Sequence, residues 1–213
     1  MQVEEIFDLT KELVDTNSNN QVTIDEARFV IFYNKAQEVY LRTILDNTRQ
    51  NDKVQYAQKF LVPAKKLKGK PGMIKQEQRF QLPPDFVKRE EIIVTGTKGE
   101  CSDLMYVEEV KPSDITFLLT DEYHKPSFDF RESFYYIGDD SIVIYNDGNF
   151  KISDVGLVYY RQPKRIDMAG NLDALGNPTK TIETEWEDTA IHDIVEILVS
   201  RYAVAKLPIR GKN

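Results

Sequence analysis

The sequence predicts an α+β fold with N-terminal helices, a central, mainly antiparallel β region and a C-terminal amphipathic helix. Apolar residues recur at helical spacing up to Pro63, shift toward a period of two from Arg79 onward, and return to helical spacing near the end. Short strands separated by turn residues are typical of antiparallel pairing, because a hairpin needs only a short connection. At 213 residues the chain is long enough for one well-buried domain, and we expect a single domain over its whole length.

The predicted domain has five parts in chain order. They are a helical part at 1–62, a basic loop at 63–78, a β-rich part at 79–162, a loop and C-terminal helix at 163–206, and a tail at 207–213. The last helix has the clearest periodicity, with apolar residues at i, i+3, i+4, i+7 and i+8: Ala190, Ile191, Ile194, Val195, Leu198, Val199 and Tyr202. The tail that follows is short and basic, and we expect it to be extended.

Two helices and a further apolar helical segment are predicted before Pro63. The first helix, Val3 to Val14, is short and amphipathic and stops at a polar loop. The second runs from Ile24 to about Gln50, because Thr23 and Glu26 match the T-x-x-E capping box and no proline or glycine interrupts the pattern. At 1.5 Å per residue this helix would be roughly 40 Å long, which is more than a compact domain of this size needs.

The basic loop contains the lysines of the main basic cluster: Lys65, Lys66, Lys68 and Lys70, with Lys75 close by. Gly69, Pro71 and Gly72 favour a linker or a mobile loop at this place. One interpretation of the cluster is phosphate contact, from DNA or from anionic lipid. The other interpretation, which the formal net charge of −7 favours, is a solvated interaction loop that docks on an acidic neighbour.

The β-rich part contains a predicted hairpin, a short helix and aromatic-rich strands. "RFQLPPDF" is a strand broken by prolines, "EEIIVTG" and "LMYVEEV" pair around the turn "TKGE", and Pro112 marks a helix start. "SIVIY" and "FKIS" flank "NDG", which predicts a second hairpin, and "VGLVYYRQP" adds a strand. Since neither face of these last strands is purely polar, we expect core, helices or another subunit to cover both sides.

Aromatic residues in the same region could form a binding platform, but such residues are more often part of a core or an interface. They are Phe128, Phe130, Phe134, Tyr135 and Tyr136.

Composition excludes several classes of protein. Hydrophobic residues make up 41% of the chain and charged residues 30%, which suits a globular protein rather than a disordered one. No apolar run is long enough to cross a bilayer, and the first residues lack the features of a signal peptide, so we expect synthesis in the cytoplasm and no membrane partner. A single cysteine, Cys101, agrees with a reducing compartment.

Catalytic chemistry has little support in the sequence. Cys101 lies beside a hairpin turn, and the chain has two histidines, His124 and His192. No G-x-S-x-G elbow accompanies them, and neither a P-loop nor G-x-G-x-x-G is present. His192 and Glu196 stand at i and i+4 of one helix, but no other metal ligand is placed beside them. We therefore expect no enzyme activity and no cofactor.

The segment "DTNSNNQVTIDE" matches the ligand spacing of a calcium-binding EF-hand loop. Oxygen-bearing side chains stand at loop positions 1, 3, 5, 7, 9 and 12: Asp15, Asn17, Asn19, Gln21, Thr23 and Glu26. Position 6, which is almost always glycine because the chain turns sharply there, is Asn20, and the charged ligands are Asp15 and Glu26 alone. Since Thr23 and Glu26 are also explained as a helix cap, we favour no metal site. A calcium-binding interaction module is the alternative function.

Several segments follow one another along the chain in an order that indicates a known class of protein: "DEARFVIFYNKAQEVYLRTIL" after a polar loop, "RFQLPPDF", "KPSFDFRESFYYI" with "SIVIYNDGNFKI", "VYYRQPKRID", and an acidic stretch before "IHDIVEILVSRYA". In that order they resemble structural proteins of crAss-like bacteriophages. More distantly, they resemble the head-tail connector adaptors, or tail tubular proteins, of short-tailed phages. The resemblance spans most of the chain, and "YYRQPKRID" followed by the terminal helix is its most specific part.

The resemblance implies a virion protein that forms a ring beneath the portal, dodecameric by expectation, around the DNA channel. Its partners would be other copies of itself, the portal protein and adjacent tail or ring proteins, while DNA passes without specific binding. The lysine loop and the C-terminal tail would be arms that reach neighbouring subunits, and the loop from Asp15 to Glu26 would be a plain connection. No catalytic residues carry over, because such adaptors have none. The negative net charge suits a channel through which DNA slides without sticking.

Overall fold

The computed structural model describes residues 1–18, 24–46, 53–172 and 176–203. The chain divides into two compact units, a helical unit of Met1–Phe60 with Gln162–Asn213 and a β unit of Leu61–Arg161. The α+β prediction is confirmed, since the described residues form five α-helices and an eight-stranded, mostly antiparallel sheet. The predicted borders after residues 62 and 162 lie close to the borders of the two units. The single domain stays a prediction.

The helices of the described chain are α1 (Val3–Ser18), α2 (Glu26–Asp46), α3 (Val54–Ala57), α4 (Ile115–Thr120) and α5 (Asp188–Leu198). Short 3-10 turns, Gln58–Phe60 and Pro112–Asp114, follow α3 and precede α4, and a π-helical turn, Val199–Ala203, continues α5. The strands are β1 (Leu61–Lys66), β2 (Gly69–Pro71), β3 (Glu77–Gln81), β4 (Phe86–Lys98), β5 (Cys101–Glu109), β6 (Glu132–Ile137), β7 (Ser141–Tyr145) and β8 (Lys151–Arg161). Their order in the sheet is β1-β8-β4-β5-β6-β7-β3-β2.

The apolar faces of α1, α2 and α5 form the core of the helical unit. Ile6, Tyr33 and Ile194, one from each helix, are fully buried. The periodicity of α5 is confirmed, because its buried residues are those that the helical spacing selected: Ala190, Ile191, Ile194, Val195 and Leu198. Burial of such a stripe supplies most of the stability of a helix of this length.

The start of α2 differs from the predicted one. α2 begins at Glu26, and the Asp25 carboxylate accepts a hydrogen bond of 2.8 Å from the backbone N–H of Arg28. Asp25 is therefore the N-cap, and the prediction that Glu26 closes a capping box at the third helical position is wrong. Thr23 lies outside the described residues, as do residues 47–52 beyond the described end of the helix.

A buried amide pair on α2 holds the connection that leads to α5. Asn34 donates to the Ile166 carbonyl at 3.0 Å and accepts the Ile166 N–H at 2.9 Å. Gln37 donates to Asn34 at 2.8 Å and to the Lys164 carbonyl at 3.1 Å, and its own carbonyl oxygen accepts the Trp186 indole N–H at 3.2 Å. Residues that form no helix or strand are thereby fixed by side-chain hydrogen bonds instead of a backbone ladder.

The basic segment 63–78 is not a loop, and this prediction is wrong. β1 pairs with β8 at one edge of the sheet, and β2 pairs antiparallel with β3 to form a hairpin at the other edge. Pro63, the predicted end of a helix, lies within β1, where the pairing register shifts between Val62 and Lys65. An edge strand tolerates proline at such an irregularity, because no ladder N–H is required there.

The sheet of the β unit folds on itself around a main apolar core. One half of the sheet, β1-β8-β4-β5, contributes Val94 on β4 and Leu157 on β8 to this core. The other half, β6-β7-β3-β2, contributes Phe80 on β3 and Ile144 on β7. The Gln78 side chain on β3 joins the halves, since it donates to the Ile152 carbonyl at 3.1 Å and accepts the Ile152 N–H. A primary amide that both donates and accepts in this way replaces one step of a strand ladder.

One predicted hairpin is confirmed and the other is wrong. β4 and β5 pair antiparallel around Gly99, whose φ is 61°. The strands that flank "NDG" are not partners, because β7 pairs with β6 and β3 whereas β8 pairs with β4 and β1. The local turn exists, with Gly148 at a φ of 82° and its N–H on Asn146 Oδ1 at 2.7 Å. It carries the chain to β8, in which "FKIS" and "VGLVYYR" form one strand.

β7 is buried on both faces, as its two apolar faces predict. Ile142 and Ile144 lie in the main core of the β unit. Val143 and Tyr145 lie in a second cluster, against which Leu118 of α4 packs. The helix after Pro112 therefore covers the face of the sheet that the main core does not.

Candidate functional site

A cleft of about 1090 Å³ opens in the β unit between the β2–β3 hairpin and the connection from β7 to β8. We call it the basic cleft, after the lysines that line it: Lys66, Lys68, Lys70, Lys75 and Lys151. Three of the four lysines of the predicted interaction loop are thus brought together, and Lys75 and Lys151 join them. Lys65, the remaining one, lies on β1 and does not line the cleft. Lys151 was missed because it is distant in sequence and becomes a neighbour only when the sheet folds over.

The charges of the basic cleft are largely uncompensated. Lys66 forms an ion pair with Asp154, and the Glu77 carboxylate is paired with Arg79. Within the described part of the chain, no carboxylate pairs with the other four lysines. Like charges that converge on one concave surface raise its potential, so the basic cleft favours an acidic or polyanionic partner.

Two glycines allow the β2–β3 hairpin its tight shape. A Cβ atom on Gly69 would lie 2.7 Å from the Phe80 ring, and one on Gly72 would lie 2.5 Å from Glu77 Cβ and 2.6 Å from its backbone oxygen. The Gly72 N–H instead donates to that oxygen at 3.0 Å. The connection presents Met73, which is 83% exposed, and Ile74, which is 47% exposed. We call these two residues the hairpin tip.

A second, smaller surface lies on β5, β6 and the segment after α4. It is a groove of about 160 Å³ with apolar and aromatic walls that include Tyr106, Tyr123 and Pro126. Glu108 and Glu132 supply carboxylates, and none of the described lysines or arginines lines the groove. We call it the aromatic groove. Its aromatic walls are open to solvent, with Tyr106 71% exposed and Tyr123 90% exposed.

Hydrogen bonds fix the segments that present these aromatic side chains. The Asp121 carboxylate accepts the Tyr123 backbone N–H at 2.9 Å and lies 2.8 Å from the His124 Nδ1. Both contacts lower the pKa of Asp121, first the bond from the Tyr123 N–H and then the one from His124. Tyr106 is anchored by its N–H, which donates to the Arg131 carbonyl at 2.7 Å. These bonds hold the backbone of Tyr106 and Tyr123 in place, while both side chains stay exposed to solvent.

Most residues of the predicted aromatic platform are not exposed in the structure. Phe134 and Tyr135 are buried, Phe128 packs against the main core and Tyr136 against the second cluster. Phe130 is exposed. The exposed residues that sequence reasoning missed are on β5, where Leu104 and Tyr106 share one face and Met105 is buried on the other. The signal was present, because "LMY" is apolar on both faces of the strand.

The calcium-loop residues lie partly on helices. α1 continues to Ser18, past its predicted end, and includes Asp15 and Asn17. The Asn17 side chain donates to the Leu13 carbonyl at 2.8 Å, whereas an EF-hand ligand at position 3 lies in the loop. Glu26 is the first residue of α2. Asn19, Gln21 and Thr23 lie outside the described residues.

The candidate catalytic residues are all on the surface. Cys101 is an exposed free thiol at the start of β5, His124 contacts Asp121, and His192 is exposed on α5. Among the residues that the structure describes, no three His, Cys, Asp or Glu side chains could hold a metal ion together. None of the described helices has both the length and the apolar composition needed to cross a bilayer.

Comparison with known proteins assigns no family to the chain. No protein-family model matches it, and no curated protein matches it in sequence. The functional proposal rests on three surface features of the β unit, the basic cleft, the hairpin tip and the aromatic groove.

Proposed function

We propose that the chain is a bacteriophage virion structural protein, a component of the head-tail connector ring beneath the portal that forms part of the DNA channel and docks the tail. The observation that carries the proposal is that the β unit holds two unlike exposed surfaces, an apolar hairpin tip in a basic setting and an acidic aromatic groove. Contiguous apolar surface left in water on a folded chain marks a contact with another molecule.

Assembly with like copies accounts for both surfaces at once. Two different surfaces on one chain allow each copy to contact a neighbour on either side, which closes into a ring when the rotation between copies divides the circle. The order of segments that resembles connector adaptors agrees with such a ring. The partners are then other copies of the chain, the portal above and the tail or next ring below.

The net negative charge of the chain agrees with a ring whose channel surface lies outside the basic cleft. A formal net charge of −7 disfavours adhesion to the phosphates of a passing DNA duplex. The lysines of the basic cleft would act in the opposite sense if they lined the channel, because each phosphate contact slows sliding. We therefore assign the basic cleft to a contact between protein subunits rather than to DNA.

The experiment that tests the proposal is fractionation of virions of the phage whose genome encodes the protein. After density-gradient purification, heads and tails are separated and each fraction is probed with an antibody against the chain. We expect the protein in purified virions and in the fraction that retains the neck. Its absence from virions that are complete and infectious would overturn the proposal.

A further inference from the structure

The tip of the β2–β3 hairpin is a candidate knob, because it exposes two apolar side chains, Met73 and Ile74. Both line the basic cleft together with Lys70 and Lys75. Backbone hydrogen bonds of 3.0 Å from Gly72 to Glu77 and from Glu77 to Ile74 close the turn. A knob held in one conformation before binding loses little entropy when it docks.

The aromatic groove has the size and the charge of a receptor for such a knob. At about 160 Å³ it is well below the roughly 300–1,000 Å³ of pockets that hold small ligands, so a side chain of another protein fits it better than a metabolite. Its walls are apolar at Tyr106, Tyr123 and Pro126, and its carboxylates are Glu108 and Glu132. The apolar and charged parts both complement those of the hairpin.

The hairpin of the same copy does not supply the occupant. The aromatic groove and the basic cleft share no lining residue. β3 is held in the sheet by its ladder with β7, and two strands, β7 and β3, separate β6 of the groove from β2 in the strand order. The occupant with matching chemistry is the hairpin of a second copy.

We propose that the hairpin tip of one copy inserts into the aromatic groove of the next, with Lys70 and Lys75 facing Glu108 and Glu132. This contact deepens the proposed function, because it names the surfaces through which ring subunits join. Since the two surfaces are different, the contact is head-to-tail, and each copy keeps one free tip and one free groove until a ring closes. Aromatic anchors at the centre and opposite charges at the rim are the usual composition of such contacts.

The test uses the full chain and two variants that each disable one surface, Met73→Glu for the tip and Tyr123→Glu for the groove. Both side chains are largely exposed, so folding is retained, which circular dichroism and thermal melting verify. Ile31→Glu, an exposed apolar position on α2, is the matched control. Sedimentation velocity is measured at increasing concentrations, up to about 1 mM.

The native chain and the Ile31→Glu control are expected to associate with increasing concentration. Each surface variant alone should associate at least about 30-fold more weakly, which is the loss typical of a central interface residue. A mixture of the two variants should form dimers and no larger species, because the intact tip of one fits the intact groove of the other. The native chain should in turn form species larger than dimers, which a two-fold symmetric contact would not give.

Three outcomes overturn the contact: a native chain that stays monomeric at about 1 mM, variants that associate like the native chain, or a mixture without dimers. Failure of this contact can be distinguished from failure of the proposed connector function. If the dimers form but the protein is absent from virions, the contact stands and the connector fails. If the protein lies in the neck but both variants still assemble there, the connector stands and the contact fails.

Discussion

The buried amides of α2 show how single polar residues determine the path of a long connection. Asn34 and Gln37 are 5% and 1% exposed and lie on the buried face of α2, where helical periodicity predicts hydrophobic residues. Their partners are backbone groups of Lys164 and Ile166 and the indole of Trp186, more than a hundred residues away in sequence. Because those partners follow no repeating pattern, sequence reasoning did not find them.

Replacement of Gln37 by alanine is expected to destabilise the protein. It leaves the buried Trp186 indole N–H without its partner, which typically costs about 1–3 kcal/mol, and it also removes the bond to the Lys164 carbonyl. Chemical denaturation followed by the fluorescence of the single tryptophan measures the loss. Lys35→Ala, an exposed site on the same helix, should change stability by less than about 0.5 kcal/mol. Equal effects of the two variants would contradict the role of the amide.

Alkaline pH is expected to destabilise the β unit through its tyrosines. Burial raises the pKa of Tyr135, Tyr145 and Tyr159 to about 12, while phenols in an unfolded chain ionise near pH 10. Because the folded state holds these protons more tightly, stability is full below about pH 10 and falls as the pH rises from 10 to 12. Urea midpoints measured across that interval should decrease, with tyrosinate absorbance appearing together with unfolding.

Tyr145→Phe is the control for the alkaline transition. Phenylalanine has no ionisable group, so the decrease of the urea midpoint between pH 10 and 12 should be smaller in this variant than in the native chain. An identical pH dependence in both proteins would show that other groups cause the transition.

Elements with a strong periodic or turn signal could be predicted, and those that depend on distant pairing could not. α5 and the β4–β5 hairpin follow the sequence pattern closely. The basic segment was predicted as a loop because Gly69, Pro71 and Gly72 suggest a break, whereas the short strand β2 is stabilised by its ladder with β3. The "NDG" turn formed, but its flanking strands found other partners in a sheet that folds on itself. Local chemistry specifies a turn, and only the tertiary fold decides which strands pair.

The same limit applies to the candidate site. Lys66, Lys68 and Lys70 could be selected as a cluster because they are adjacent in sequence. Lys151 joins them only through the connection between β7 and β8. The aromatic groove combines residues from β5, β6 and the segment after α4, and the parallel pairing of β5 with β6 that unites them has no short-range signal.

Gly72→Ala is expected to open the β2–β3 hairpin. The added Cβ would lie within 2.6 Å of Glu77 atoms that include its backbone oxygen, which must move, and such overpacking typically costs about 1–3 kcal/mol. Denaturation measures the loss of stability, and limited digestion with trypsin should cleave faster after Lys68 and Lys75, which no proline follows. In the control Gly138→Ala, the nearest atom would be 3.5 Å away, an ordinary contact. Unchanged protection of the hairpin in Gly72→Ala would show that the close approach is not required.

Calcium is expected not to bind below the millimolar range. Asp15 and Asn17 lie on α1, and position 6 of the motif is Asn20 in place of glycine, so the ligand geometry of an EF-hand is not favoured. Isothermal titration calorimetry of the full chain with calcium measures the affinity. Micromolar binding that Glu26→Gln abolishes would contradict this expectation and support the alternative of a calcium-binding interaction module.

At the scale of the whole molecule, the chain forms a helical unit into which the β unit is inserted between Phe60 and Gln162. The surfaces to which we assign assembly all lie on the β unit, and the exposed aromatic side chains Tyr106, Tyr123 and Phe130 belong to it. The formal net charge of −7 belongs to the whole chain, and we expect it to weaken attraction to DNA. The proposed ring would join through the β units, and its net negative charge would let DNA pass without adhering.

The central claim is that this chain forms a ring at the neck of a tailed-phage particle, and imaging of whole particles tests it most directly. Electron cryomicroscopy with localised reconstruction of the neck should reveal a closed ring beneath the portal, with density into which the β unit fits and with the β2–β3 hairpin of each subunit against β5 and β6 of the next. Particles in which the protein occurs as isolated copies on the capsid exterior, or from which it is absent, would contradict the claim.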